Sequence, residues 1–330
     1  VDVRDLRKRY GDVEALRGID LYVKWGEFFG FLGPNGAGKS TTIQVLTTLT
    51  MPTGGSVEVG GADVIRHPED VRFRIGVALQ DTGVDPLMTG RELLVVQGRL
   101  FGMTKSRAKE RASELLKQFG LEDAGDRRVK TYSGGMRRRL DLALALVHEP
   151  GILFLDEPTT GLDPVNRMAL WELLRSVNRD QGVTIFLTTQ YLEEADTLCE
   201  RIAIINHGQI IAEDTPSNLK RRLRRDVIEL EVADADDARS DEVVAMLVEQ
   251  GWESVRDGSI VRVFSPEGAH DTIQILAALE QRSVTLSGLR VVPPTLDDVF
   301  LQLTGAQLEG DEQSRQPTAA DRSGEGGQGA

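Results

Sequence analysis

The stretch Gly33-Pro34-Asn35-Gly36-Ala37-Gly38-Lys39-Ser40-Thr41 decides the fold. Its spacing, G-x-x-x-x-G-K-[S/T], is that of a phosphate-binding loop. The flanks supply the context such a loop needs. Residues 27–32, Glu-Phe-Phe-Gly-Phe-Leu, predict a buried strand. Residues 39–50 predict a helix that stops at Met51-Pro52, because proline disfavours a helical residue before it. A strand, a glycine turn and a helix start together make an anion site. The glycines let backbone N–H groups turn inward, and the helix N-terminus adds unpaired donors and the positive end of its dipole. Lys39 supplies a point charge for β- and γ-phosphates, and Ser40 a hydroxyl for Mg²⁺.

The chain has 330 residues, long enough for two domains. It carries 39 basic and 52 acidic residues, a net charge of −13, which argues against a nucleic-acid partner because such a partner needs a basic footprint. One cysteine, Cys199, excludes an internal disulfide, and its apolar helical surroundings predict a buried structural thiol. No run of 18 or more apolar residues occurs, so the sequence predicts no bilayer-spanning helix. Residues 1–9 alternate charged and apolar side chains, which reads as an edge strand and not as a signal peptide. The expectation is a cytoplasmic protein.

Residues 1–218 alternate strands with helices, predicting an α/β domain with a largely parallel sheet. The strand candidates include 28–32, 75–79, 152–155, 184–188 and 201–206, and a helical stretch is predicted over 89–121 with Gly102 and Gly120 as stops. The basic run 220–225 marks a boundary, read as a solvated helix face or as a contact for anionic lipid. From 219 to 304 a second, small α+β domain follows, with strands at 227–232, 259–264 and 284–291 and helices at 241–250, 269–281 and 296–303. Residues 305–330 are rich in Gly, Gln, Ser and charge, and the expectation is a disordered tail.

Ile152-Leu153-Phe154-Leu155-Asp156-Glu157 is an apolar strand ending in two carboxylates. Ligands of open α/β sheets bind at the carboxyl ends of the strands, so these two groups belong beside the phosphate loop. Asp156 suits Mg²⁺, directly or through water, and Glu157 suits orienting and polarising an attacking water. Some 20 residues upstream lies Thr131-Tyr132-Ser133-Gly134-Gly135-Met136-Arg137-Arg138. Ser-Gly-Gly alone is usually a turn. In this position it resembles the signature sequence of the ABC transporter ATPases, and Ser133, Gly134 and Gly135 at a helix start read as a second anion site.

That resemblance implies a P-loop NTPase fold of the ABC type with a helical subdomain at about 85–145, ATP and Mg²⁺ as ligands, and a homodimer in which the signature of one subunit closes over the ATP of the other. It also implies roles for single positions. Tyr10 resembles the aromatic that stacks on adenine, and Gln80 the glutamine that reaches Mg²⁺ and senses the γ-phosphate. Thr160-Gly161-Leu162-Asp163 resembles the loop through which the subunits communicate. The switch segment of the family usually carries His; here Leu187-Thr188-Thr189-Gln190-Tyr191 has Gln190. Neutral His and Gln can both donate to a phosphate oxygen, but Gln cannot become cationic. The expectation is that Gln190 acts as a hydrogen-bonding sensor, with Glu157 the main catalytic carboxylate and Lys39 the charge on the phosphates.

The Gln switch, the second domain and the ending 293–305, Pro-Pro-Thr-Leu-Asp-Asp-Val-Phe-Leu-Gln-Leu-Thr-Gly, resemble the daunorubicin/doxorubicin-resistance type of ATP-binding subunit over roughly residues 3–305. The resemblance implies an ATPase on the cytoplasmic face of the membrane that powers a separate integral membrane permease in drug, polyketide or lipid export. The alternatives within the family are an importer subunit or another ABC-2-type exporter, and outside transport a soluble ATPase of translation or repair. The apolar positions Leu87, Met88, Leu93, Leu94 and Phe101 after Gln80 are candidates for the groove that meets the permease, or for plain core.

Overall fold

The computed structural model describes residues 1–80, 83–222, 226–233, 237–258, 260–265, 268–282, 284–292 and 294–304. The tail at 305–330 lies outside the described residues. Within them the chain forms two compact units, Val1–Pro216 and Ser217 onward.

The first unit runs β1 (Asp2–Tyr10), β2 (Val13–Tyr22), β3 (Phe28–Leu32), α1 (Lys39–Leu46), β4 (Gly54–Val59), β5 (Ala62–Asp63), α2 (Pro68–Arg74), β6 (Ile75–Ala78), α3 (Gly90–Leu100), α4 (Lys105–Gln118), α5 (Gly134–Ala145), β7 (Ile152–Asp156), α6 (Pro164–Gln181), β8 (Thr184–Thr189), α7 (Leu192–Leu198), β9 (Arg201–Asn206) and β10 (Gln209–Asp214). Six strands form one sheet in the order β10-β9-β3-β8-β7-β6, parallel except for β10. Strands β3, β7 and most of β8 and β9 are buried on both faces, which is why they read as unbroken apolar runs. Phe29, Phe31 and Phe154 ring Phe186 at centroid separations of 5.4–5.6 Å and fill the space against the second sheet. Gly30 is required here, since a Cβ would come within 2.8 Å of the sulfur of buried Cys199.

The second sheet is antiparallel, in the order β2-β1-β4-β5. It corrects the edge-strand reading of the first residues: β1 lies between β2 and β4, and its alternation comes from one buried face (Leu6 and Val3) against one solvated face. Helix α1 also ends earlier than expected, at Leu46, because Thr48 turns to a φ of +63° and the chain leaves the helix well before Pro52.

Helices α3, α4 and α5 pack together as a helical layer. Thr89 opens α3 with a capping box: its hydroxyl accepts from Glu92 N at 3.1 Å, and Glu92 accepts from Thr89 N at 2.8 Å. Gly102 and Gly120 leave α3 and α4 at φ of +84° and +61°, conformations that cost glycine nothing. Leu94 is core, whereas Leu87 is exposed.

The second unit contains α8 (Pro216–Arg222), β11 (Asp226–Val232), α9 (Asp237–Glu249), β12 (Glu253–Asp257), β13 (Ile260–Ser265), α10 (Gly268–Gln281), β14 (Leu286–Val292) and α11 (Leu296–Thr304), the first of these beginning one residue ahead of it. Its sheet is antiparallel, in the order β12-β13-β11-β14. Ile228, Leu230, Val261 and Val263 pack with Leu247, Ile275 and Leu279 of the two longer helices. Strand β12 went unread in the sequence because Glu-Ser-Val-Arg-Asp carries one apolar residue. Arg262, almost fully buried, ion-pairs with Glu229 at 3.2 Å, Asp257 at 3.0 Å and Asp298 at 3.5 Å, tying the Pro-Thr-Leu-Asp-Asp ending to the sheet.

Candidate nucleotide site

The site lies where the parallel strands end. The phosphate loop leaves β3, Gln80 follows β6, Asp156 ends β7 with Glu157 next after it, and Gln190 follows β8. The registers Leu32↔Thr189, Asp156↔Thr188 and Leu155↔Ala78 bring these ends level. This is the carboxyl-end crevice in which open α/β sheets bind ligands.

The loop owes its shape to three glycines. Gly36 and Gly38 sit at φ of +77° and +115°. A Cβ at Gly33 would lie 2.4 Å from the Ile205 carbonyl oxygen, and one at Gly38 would lie 2.7 Å from Leu16. Gly36 faces open space, which leaves its backbone accessible to a ligand. Behind the loop, Gly208 N donates to Ala37 O at 2.9 Å. Within α1, Thr42 N and its hydroxyl both donate to Gly38 O at 2.9 Å.

A cavity of about 210 Å³ is bounded by this loop, Lys39, Ser40, Thr41, Gln80 and Glu157. Lys39 is buried; its Nζ donates to Gly33 O at 2.7 Å and lies 3.6 Å from Glu157 Oε1. Burial pulls the ammonium below its ordinary pKa, and Glu157 and Asp156 push it back. Asp156 is fixed from the neighbouring strand, where Thr188 donates to Oδ1 at 2.5 Å. Glu157 adopts φ +47°, left-handed backbone that costs a non-glycine residue on the order of 1–3 kcal/mol. Its N–H is held by Thr188 O at 3.0 Å. Thr160 reaches its carboxylate at 3.4 Å.

The remaining sequence-predicted residues stand outside that cavity's walls. Tyr10 ends β1, half exposed, with Lys8 Nζ 4.7 Å from its ring centroid. Ser133 caps α5, accepting from Met136 N at 3.3 Å. Gly134 is open, and a Cβ at Gly135 would meet the Asn166 side chain at 2.8 Å. Asp163 caps α6, accepting from Asn166 N at 2.9 Å, and that bond holds its pKa below the usual carboxylate range. Gln190 is half-buried beside these ends.

Three side chains escaped the sequence reading. Arg138 is buried on α5 and donates to Leu79 O at 2.6 Å, Pro158 O at 2.8 Å and Asp156 O at 3.2 Å, so one guanidinium holds the backbone beside Gln80, Asp156 and Glu157. It also meets Asp141 at 3.2 Å, yet burial outweighs this pairing and pushes the Asp141 carboxyl up to about 6. Glu194 of α7 is fully buried and accepts from Trp171 Nε1 of α6 at 2.9 Å, joining the helix after Gln190 to the helix after Asp163. The triple arginine after Ser133-Gly134-Gly135 was a visible signal for Arg138; nothing in the sequence pointed to the other pair.

A phosphate loop facing paired carboxylates at the ends of parallel strands, with a helical layer beside them, defines a nucleotide-binding P-loop domain. The comparisons narrow the class. A family model described as ABC transporter matches residues 16–160, and one described as the C-terminal domain of ATP-binding proteins like DrrA1-3 matches residues 215–304. The daunorubicin resistance ATP-binding protein DrrA2 of Streptomyces coeruleorubidus is 47% identical over 93% of this chain and 95% of its own length. The daunorubicin/doxorubicin resistance ATP-binding protein DrrA of Streptomyces peucetius is 46% identical over 92% of each. Among solved structures, a dimeric post-hydrolysis ATP-binding cassette bound to ADP and Pi aligns with TM-score 0.60 and 28% identity, covering 65% of this chain and 97% of that one. The chain belongs to the ABC transporter ATPases, in the group of DrrA-like ATP-binding proteins. It is an ATP-binding and ATP-hydrolysing subunit of a membrane transport complex, and no helix among the described residues is long and apolar enough to cross a membrane.

Proposed function

We propose that this ATPase powers export of an amphipathic drug-like, polyketide or lipid cargo through a separately encoded integral membrane permease, from the cytoplasmic face of the membrane. The observation that supports this most is likeness along nearly the whole chain, second unit included, to two daunorubicin-resistance ATP-binding proteins. Residues 1–218 are then the ATPase domain, and 219–304 an accessory domain that stabilises the dimer or tunes docking. A groove of about 480 Å³ between α3 and α5, lined by Leu79, Val84, Gln97, Phe101, Leu144 and His148, suits an apolar segment of the permease.

Lys39 and the loop amides receive the β- and γ-phosphates. Phosphate draws Lys39 away from Glu157, freeing that carboxylate to orient and polarise the attacking water. Water oxygen bonds to the γ-phosphorus as the bond to the bridging oxygen breaks, giving ADP and phosphate. The donor set Ser40 hydroxyl, Gln80 carbonyl and Asp156 carboxylate is all hard oxygen, which fits Mg²⁺. Those residues would hold the ion, which when bound neutralises charge on the phosphates. Thr188 keeps Asp156 aimed for that task. Gln190 donates to a γ-phosphate oxygen, and Tyr10 stacks on adenine. Ser133, Gly134 and Gly135 serve the nucleotide held by a second copy of the chain, and Asp163 sets the loop by which the copies communicate.

Phosphate release from Mg-ATP by the full chain tests the assignment of Glu157. Glu157→Gln is expected to keep ATP binding and to lose about 10²–10⁴-fold in turnover. Native turnover in that variant would remove Glu157 from its catalytic role.

A further inference from the structure

The phosphate-loop cavity has a neighbour. A second cavity, of about 220 Å³, is walled by Gln80, Glu157, Arg137, Arg138, Thr160 and Leu162. Gln80 and Glu157 border both cavities. They therefore form a partition between the chamber that holds the phosphate loop and one that opens toward α5 and the turn after β7. The position assigned to the attacking water is at that partition.

The electrostatics of the second chamber differ from those of the first. Its exposed cation, Arg137, has no carboxylate partner among the described residues, in a chain with 13 more acidic than basic groups. Two partly exposed arginines of the helical layer are paired, Arg91 with Asp126 at 2.8 Å and Arg107 with Glu114 at 2.9 Å. Arg138 beside it is buried and engaged with three carbonyls and Asp141, so it contributes positive potential and no further mobility. The turn Thr160–Leu162 that completes the wall is built on Gly161 at φ +77°. A cavity of this size accommodates one hydrated phosphate.

We propose that the second chamber is a transient binding site for inorganic phosphate, the route by which the cleaved γ-phosphate leaves while ADP still fills the loop. The proposal rests on the ATPase reading above and deepens it. Once the bond to ADP is broken, phosphate is a free anion held between Lys39 and Glu157. The Glu157 carboxylate at the partition resists its passage until it is displaced, and Arg137 on the far side attracts the anion. Displacement of Gln80 and Glu157 by the departing anion opens the way without disturbing the loop on β3. No bond forms or breaks in this passage, and Arg137 takes no part in the cleavage itself.

The test separates cleavage from release in the full chain with saturating Mg-ATP. Rapid quenching in acid counts all phosphate formed; a fluorescent phosphate-binding protein in solution counts only phosphate that has left. In Arg137→Ala the account expects cleavage at the native rate, a burst of bound phosphate, and release slowed about tenfold, the lower end of what electrostatic steering supplies. Arg137→Lys, which keeps the charge, is expected to restore release. Release at the native rate in Arg137→Ala, or slowed cleavage with no bound phosphate accumulating, would overturn the exit site while leaving the ATPase assignment standing. Absence of cleavage in the unaltered chain would instead overturn the reading on which the proposal rests.

Discussion

At the scale of the residue, the site is a set of charges held in place by backbone. Lys39 rests on the loop carbonyl of Gly33, Asp156 on Thr188, and the segments bearing Gln80, Asp156 and Glu157 on the guanidinium of Arg138. Asp141 is the cost of that arrangement: removing its carboxylate from water outweighs the attraction of Arg138 at 3.2 Å. Its pH signature has a definite sign. The folded chain holds the Asp141 proton to about pH 6, whereas the unfolded chain releases it near the ordinary value of 3.8. Between the two the folded state binds more protons, so the contribution of Asp141 to stability falls as pH rises through that window. Between about pH 4.5 and about pH 7.5 the loss is about 2 kcal/mol, at ~1.4 kcal/mol per tenfold displacement of a proton equilibrium. Urea unfolding at those two values, compared with Asp141→Asn, measures it. The difference between the two proteins is expected to move in the variant's favour at the higher pH, and a difference independent of pH would contradict the account.

At the scale of the element, sequence was a good guide wherever one local cause acts. The loop between β3 and α1 was legible because phosphate binding demands glycine at fixed spacing, and the doubly buried strands because burial on both faces leaves only apolar residues. What escaped depended on pairing across the fold. The place of β1 inside an antiparallel sheet is set by β2 and β4, and nothing in its own alternation distinguishes an inner strand from an edge. Thr188 and Arg138 gain their roles only when β8 and α5 lie against β7. The glycines of the loop separate two kinds of requirement. Gly33→Ala drives a Cβ to 2.4 Å from the backbone oxygen of Ile205, which cannot yield as a side chain would. It is expected to cost about 1–3 kcal/mol of folding stability along with ATP binding. Gly36→Ala meets no atom and bears only its φ of +77°, about 1–2 kcal/mol at most. Thermal melting of the two variants is expected to place Gly33→Ala below Gly36→Ala; the reverse order would mean that the loop's shape does not depend on packing against β9.

At the scale of the whole molecule, an ATP-hydrolysing subunit of a transporter does its work only together with a membrane component. No helix among the described residues is long and apolar enough to cross a membrane, and the first unit presents its groove of about 480 Å³ beside the segment that carries Gln80. In the function proposed above, ATP binding becomes transport through a partner chain, and Glu157 sets how long the nucleotide-bound state lasts. The most direct measurement is recovery of partners from detergent-solubilised membranes on the tagged Glu157→Gln chain with Mg-ATP present. The account predicts that a polytopic permease is retained, and retained more with Mg-ATP than without nucleotide. Recovery of ribosomes or DNA-associated proteins with no membrane protein would contradict it.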